Sequence, residues 1–255
     1  MAKSDFGSVT GWKSSRATIS NGALRITIEK DALSGAGGLI SNTKIPDGSA
    51  YELYFDVQFD NEFDWSRGGK VGFGFGVGNG NTGCNVPLDG AGGSLRIMWY
   101  NNIKSKRVYF IPYVYYHGMP GPCGDNFGKT YPTSGSIEKN KWYNVYMYIR
   151  SNTNSNTDGH AQIKINGKTL LDRNMRWTTD ESKRLVNYLF FHTFRGGKGN
   201  QWISGTDGYI YYDNLFVRQL SEHHFSVKDS VVEKGINGYL VLMIAFIMTI
   251  CLLDI

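Results

Sequence analysis

GGKVGFGFGVG spans residues 68–78, and beyond Lys70 every second residue is a glycine: Gly72, Gly74, Gly76 and Gly78, interleaved with Val71, Phe73, Phe75 and Val77. Side chains alternate across a strand. Lys70 and the glycines are therefore expected on one face, and the apolar residues on the other, toward a core. Glycine weakens a strand, since it has more backbone freedom to lose and no side chain to pack. A bare row marks a place where something else comes close, either another backbone or a bound molecule.

The stretches around this run read as further strands. ALRITIE (23–29), AYELYFDVQF (50–59) and WYNVYMYIR (142–150) alternate apolar and polar residues, and HAQIKINGKTLL (160–171) is a hairpin turning at Asn166-Gly167. LVNYLFFHTF (185–194) and GYIYYDNLFV (208–217) complete the set. The 255 residues are 41% apolar and 14% aromatic, with 32 Gly against six Pro, which suits a packed core built from strands and tight turns. No amphipathic helical pattern interrupts them. The expected fold is an all-β jelly-roll sandwich over residues 1–218.

The C-terminus reads differently. Residues 219–234 form a polar linker, and residues 235–253 (GINGYLVLMIAFIMTICLL) carry no charge. As a helix this stretch reaches about 28 Å, enough for a bilayer core, so a C-terminal hydrophobic helix acting as a transmembrane tail anchor is expected. No apolar stretch follows the N-terminal Met, so a secretory leader is not expected. Of 27 Lys and Arg and 22 Asp and Glu, two and four fall in residues 221–255, which leaves the body 25 against 18, a net +7. Such a body suits an anionic partner. Cys84 and Cys123 lie in Gly-rich loops and have the option of pairing, with free thiols the favoured expectation. The spacing of Cys and His contains no metal-binding pattern, and neither metal nor cofactor is expected.

The strand after the glycine run points to chemistry. SLRIMWY (94–100) sends Leu95, Ile97 and Trp99 to the core and leaves Ser94 and Arg96 on the other face. YVYYHG (113–118) likewise sets Tyr113, Tyr115 and His117 opposite Val114 and Tyr116. If these strands are neighbours, Lys70, Ser94, Arg96, Tyr113 and Tyr115 form one cationic, phenolic patch beside the glycine floor. A polyuronate has a weakly acidic proton on the carbon bearing its carboxylate, and its removal is helped most by fixed positive charge. Lys70 and Arg96 are expected to supply that charge. A tyrosine beside them serves as base, and a tyrosine also protonates the departing glycosidic oxygen. The outcome is β-elimination. Gly72, Gly74, His117 and His192 are candidate substrate-binding residues, and Trp202 either stacks on sugar or closes the sandwich.

Other functions fit less well. A glycoside hydrolase needs two carboxylates flanking the bond, and these strands carry none. A nucleic-acid partner explains the basic charge but not the glycine face, so none is expected. A non-catalytic, lectin-like membrane-anchored or coat protein is the alternative, because it needs only the aromatic, glycine-floored groove.

In combination, GGK with its glycine-rich continuation, SLRIMW, YVY, FFHTFRGG with a downstream Trp, and YYDNLFV resemble polysaccharide lyase family 14, the alginate and polyglucuronate lyases of chlorella viruses and molluscs. The resemblance covers roughly residues 5–218. It implies a jelly-roll lyase acting on an acidic polysaccharide held on a concave substrate-binding sheet, with Lys70, the Ser94–Arg96 pair and the Tyr113–Tyr115 pair as catalytic residues, and Tyr109 as a second candidate register for the tyrosine. The algal-virus likeness further implies a place on or within a virion or in an infected host cell.

Overall fold

The computed structural model describes residues 9–11 and 13–220. The hydrophobic helix expected over 235–253, and the linker before it apart from Gln219 and Leu220, lie outside the described residues. Among the described residues, no helix is long and apolar enough to cross a membrane.

Fourteen strands follow one another among the described residues: β1 (Val9–Thr10), β2 (Ala17–Ser20), β3 (Ala23–Ile28), β4 (Leu39–Gly48), β5 (Ala50–Phe59), β6 (Gly68–Lys70), β7 (Phe73–Gly78), β8 (Gly92–Asn102), β9 (Arg107–Tyr115), β10 (Trp142–Arg150), β11 (Gly159–Ile165), β12 (Lys168–Met175), β13 (Val186–Arg195) and β14 (Gly208–Leu220). They stack as two antiparallel seven-stranded sheets. One runs β12-β11-β10-β5-β14-β3-β2. In the other, β1, β4 and β13 are followed by β6 and β7, which both lie between β13 and β8, and then by β9. Between the sheets, Ile26, Phe55, Val57, Val145 and Met147 from one meet Phe75, Leu95, Ile97, Trp99 and Val114 from the other, all fully buried. Each such side chain contributes about 2 kcal/mol of burial. At the β11–β12 turn, Asn166 and Gly167 both take positive φ (48° and 74°), which the two-residue hairpin requires.

The glycine run departs from a single straight strand. Lys70 pairs with Met98 and Phe75 with Leu95, so two more residues are spent on the glycine side than on β8. Val71 and Gly72 take up the difference, with Gly72 at φ +74°. A Cβ there would lie 2.4 Å from the Phe55 ring and 3.2 Å from that of Tyr212, so Gly72 faces the core. Its N–H donates to the Tyr212 hydroxyl at 3.0 Å. This corrects its expected place beside Lys70.

Gly74 and Gly76 do share the outer face, and their bare row is not open. A Cβ on Gly74 would fall 2.4 Å from the Leu95 carbonyl oxygen and 2.8 Å from Cγ of Arg96; on Gly76 it would fall 2.6 Å from the Phe190 ring. The missing side chains leave room for Arg96 and Phe190 to lie across the strand.

Two further corrections concern the loops and β4. Cys84 and Cys123 are joined in a disulfide rather than free, which ties the loop after β7 to the loop after β9. The strand β4 was absent from the expected set, because LISNTKIPDG carries Pro46 and a run of loop-forming residues. Its partner β13 supplies the ladder that makes it a strand.

Gly74→Ala pushes a methyl into the Leu95 carbonyl and the Arg96 stem. It is expected to cost about 1–3 kcal/mol in denaturant unfolding and to depress turnover more than its loss of folded protein explains. Unchanged stability and activity contradict the close packing described.

Candidate active site

Since Leu95, Ile97 and Trp99 belong to the core, β8 turns Ser94, Arg96 and Met98 to the outer face of its sheet. The ladder to β9 sets Tyr115 opposite Ser94, Tyr113 opposite Arg96 and Ile111 opposite Met98. On the other side Lys70 pairs with Met98 and with Phe194. Lys70, Ser94, Arg96, Tyr113 and Tyr115 thus come together on one face. The Lys70 Nζ lies 3.6 Å from the Tyr113 ring centroid and 4.0 Å from the Met98 Sδ. The Arg96 guanidinium carbon lies 5.4 Å from the ring centroids of both Tyr113 and Tyr115.

These two basic groups are buried, with 8% of Lys70 and 3% of Arg96 exposed. Among the described residues, neither forms an ion pair with a carboxylate. Arg96 donates through Nη1 toward His192 Nδ1 at 3.2 Å; the Tyr115 hydroxyl is near enough to act on the guanidinium, but the buried Nε and Nη2 reach no partner in good hydrogen-bonding geometry. An arginine cannot accept a hydrogen bond, so His192 Nδ1 is the unprotonated nitrogen and Nε2–H donates to Asn42 Oδ1 at 2.8 Å. His192 is neutral: burial first, then Arg96 and Lys70, hold it well below the usual imidazole range. The same causes act on Lys70, whose amine is pushed well below an ordinary lysine by burial and then by Arg96. Arg96 is lowered to about 10 by burial, which leaves it charged at neutral pH. Tyr113 moves the opposite way, raised by burial and then by Tyr115.

Depth sorts the patch. Tyr113 is partly exposed, whereas Tyr115 and Ser94 are completely buried. The Tyr115 hydroxyl accepts the N–H of Cys84 at 2.8 Å, and the Ser94 hydroxyl donates to the Asn81 carbonyl at 2.7 Å. Both therefore brace the face against the disulfide-tied loop after β7. Gly124, next to Cys123, lies flat on Tyr113: a Cβ there would sit 2.7 Å from its ring.

The remaining candidates divide. His192 and Gly74 belong to the group, while Gly72 faces the core. His117 lies in the turn after β9, its N–H bonded to the Trp177 carbonyl, instead of continuing the tyrosine row. Tyr109 pairs with Tyr100 and Tyr113 with Arg96, so Tyr113 holds the register beside the guanidinium. Asn42 and Met98 escaped the sequence. Asn42 sits on the unrecognised β4, and Met98 continues the alternation of Ser94 and Arg96 but reads as a core residue by type. Among the described residues, no cluster of three or more His, Cys, Asp or Glu suited to a metal ion occurs.

Comparison with known proteins places this arrangement. The sequence pattern of the family described as polysaccharide lyase 14 matches residues 16–215. The alginate lyase Aly36B, solved as a variant with an alginate tetrasaccharide, is 56% identical with a TM-score of 0.82, over 83% of this chain and 86% of that one. The alginate lyase vAL-1 from Chlorella virus shares the fold at 22% identity and a TM-score of 0.64, over 84% of this chain and 92% of that one. Exolysin of Paramecium bursaria Chlorella virus 1 is 26% identical over 86% of this chain, which spans 38% of that protein's length.

A buried amine with a thioether for a neighbour is a poor use of a buried position for stability. Lys70→Met is expected to stabilise the fold by about 1 kcal/mol, read as a rise of roughly 3 °C in Tm. A fall in Tm shows instead that the amine holds the sheet together.

Proposed function

This chain belongs to the polysaccharide lyase 14 family, and on that premise we propose that it cleaves alginate-type polyuronates by β-elimination at Lys70, Arg96 and Tyr113. The observation that carries this is a buried arginine with two unpartnered N–H-bearing atoms, flanked by a lysine and a tyrosine whose proton affinities are displaced in opposite directions. Arg96 takes the carboxylate of the sugar at the cleavage point, and neutral His192 keeps the guanidinium in place through Nδ1. Charge that builds up on this carboxylate as the proton leaves is stabilised by a cation already in place, in a site with little water.

The proton affinities favour a base role for Lys70 in place of the fixed charge expected from sequence, and for Tyr113 the acid rather than the base of the two tyrosine roles expected. An amine depressed by burial is available as a neutral base, and a phenol raised by burial keeps its proton to give away. Lys70 takes the proton on C5, the electron pair forms the C4–C5 double bond, and the bond from C4 to the glycosidic oxygen breaks. Tyr113 delivers its proton to that oxygen, and transfer of the proton from Lys70 back to the phenolate restores both groups. The substrate class is supported by the alginate oligosaccharide that the 56%-identical relative was solved with.

The connection of strands distant in sequence within each sheet supports the jelly-roll description of the sandwich. The charge-free run at 235–253 supports a tail anchor. In fractionated cells the full chain is then expected with membranes, and a version ending at Gln219 in the soluble fraction; equal partition of the two removes the anchor.

Turnover is followed by the ultraviolet absorbance of the conjugated double bond. Lys70→Ala and Tyr113→Phe are each expected to lower kcat by about 10²-fold or more while oligosaccharide affinity changes little. Because Lys70 must be neutral, kcat rises with pH through its lowered pKa and is on its plateau before the ordinary lysine value of 10.5. Because Tyr113 must be protonated, the alkaline fall lies above the ordinary phenol value of 10.0. Polyuronate binding with no double bond formed identifies a lectin. A rise in kcat that begins only near 10.5 removes Lys70 as the base.

A further inference from the structure

Two residues along β8 from the Lys70–Met98 pair, about 7 Å, Gly68 pairs with Tyr100, and a second group of side chains gathers there. Trp202, at the end of a short 3-10 turn (Asn200–Trp202), meets Tyr100 edge-on with ring centroids 6.2 Å apart. Its indole lies against two glycines: a Cβ on Gly197 would fall 2.2 Å from the ring, and one on Gly68 3.3 Å. The same loop borders the reacting amine, since a Cβ on Gly196 would lie 3.7 Å from Lys70 Nζ. The Arg67 guanidinium sits over the Tyr100 ring, 5.0 Å from its centroid.

These rings do not serve the inter-sheet core. Tyr100 and Trp202 pack on a separate small cluster of Met98, Tyr109 and Ile111 on the outer face, and Arg67, Tyr100 and Trp202 are all partly exposed. Among the described residues, no carboxylate pairs with Arg67. A guanidinium stacked on an aromatic ring keeps its N–H edge open, and that edge matches a carboxylate with two parallel bonds. A uronate offers both complements: an apolar C–H face for the rings and a carboxylate for the arginine.

We propose that Arg67, Tyr100 and Trp202 form a saccharide subsite one sugar beyond the reacting residue. Tyr100 and Trp202 wall the pyranose face, and Arg67 binds the carboxylate. The inference rests on the assignment of Lys70 as the reacting amine, because Lys70 sets the origin from which the 7 Å step is counted. The subsite selects an anionic sugar next to the cleaved bond and draws the polymer past Lys70 in register.

The test uses full-length protein with size-fractionated alginate oligosaccharides. Arg67→Gln is expected to raise KM roughly tenfold, with a smaller fall in kcat, and to flatten the rise of KM with salt. A packing role for Arg67 leaves the salt dependence unchanged. Trp202→Ala is expected to raise KM similarly, and Trp202→Phe to restore part of the loss. If Trp202→Ala fails to fold, Arg67→Gln at a partly exposed position still decides. Calorimetric binding on a Lys70→Ala background separates this subsite from the lyase assignment, since Arg67→Gln must weaken oligosaccharide Kd about tenfold there too. If the wild type cleaves nothing, the lyase assignment falls and the Kd comparison still judges the subsite. Unchanged KM and Kd in Arg67→Gln overturn it.

Discussion

Two basic groups buried on one sheet face, with no carboxylate beside them among the described residues, set the terms for the rest of this structure. Taking a charge out of water without a partner is costly, and a protein ordinarily neutralises or pairs it. Here Lys70 yields by losing basicity, and Arg96, which resists deprotonation more strongly, stays charged. Neutral His192, held by Asn42, takes one Arg96 N–H without cancelling the charge. The unspent charge is available to an anionic sugar. In the proposed reaction, binding and the stabilisation of the anion that forms draw on the same group, with its reorganisation already done during folding.

The surroundings keep that group still. Gly74 lets the Arg96 stem lie flat across β7, Gly72 turns the strand so that Lys70 and the glycines meet β8 in two registers, and the Cys84–Cys123 bridge fastens loops over Tyr113 and Tyr115. Each device spends stability or sequence freedom on geometry rather than on packing. The proposed Arg67–Tyr100–Trp202 subsite continues the same sheet surface toward its other end.

Much of this was legible in the residues. Period-two alternation located β5 and β10 at both ends and most of β3, β8, β13 and β14, because one side of each faces a core that only apolar residues satisfy. The same alternation put Lys70, Ser94, Arg96, Tyr113 and Tyr115 on one face. What escaped was set by neighbours. Whether β4 is a strand depends on β13, and Pro46 disguises it. The face of Gly72 depends on a positive φ that local sequence does not announce. The displaced proton affinities of Lys70 and Tyr113 were not legible either, because residue type suggests an ionised amine, whereas burial of both groups favours their neutral forms. Depth likewise separated Tyr113, which is open to a ligand, from Tyr115 and Ser94, which are sealed beneath a loop.

The central claim is that burial beside Arg96 lowers the proton affinity of the Lys70 amine well below that of an ordinary lysine, which suits it to accept a proton. Its most direct test is an NMR titration of the Lys70 side chain, isotopically labelled at Cε, in the free protein and in an Arg96→Met variant. Titration well below the ordinary lysine value of 10.5 is predicted, with an upward shift when the neighbouring guanidinium is removed. Titration near 10.5 in the free protein, unmoved by Arg96→Met, contradicts the account.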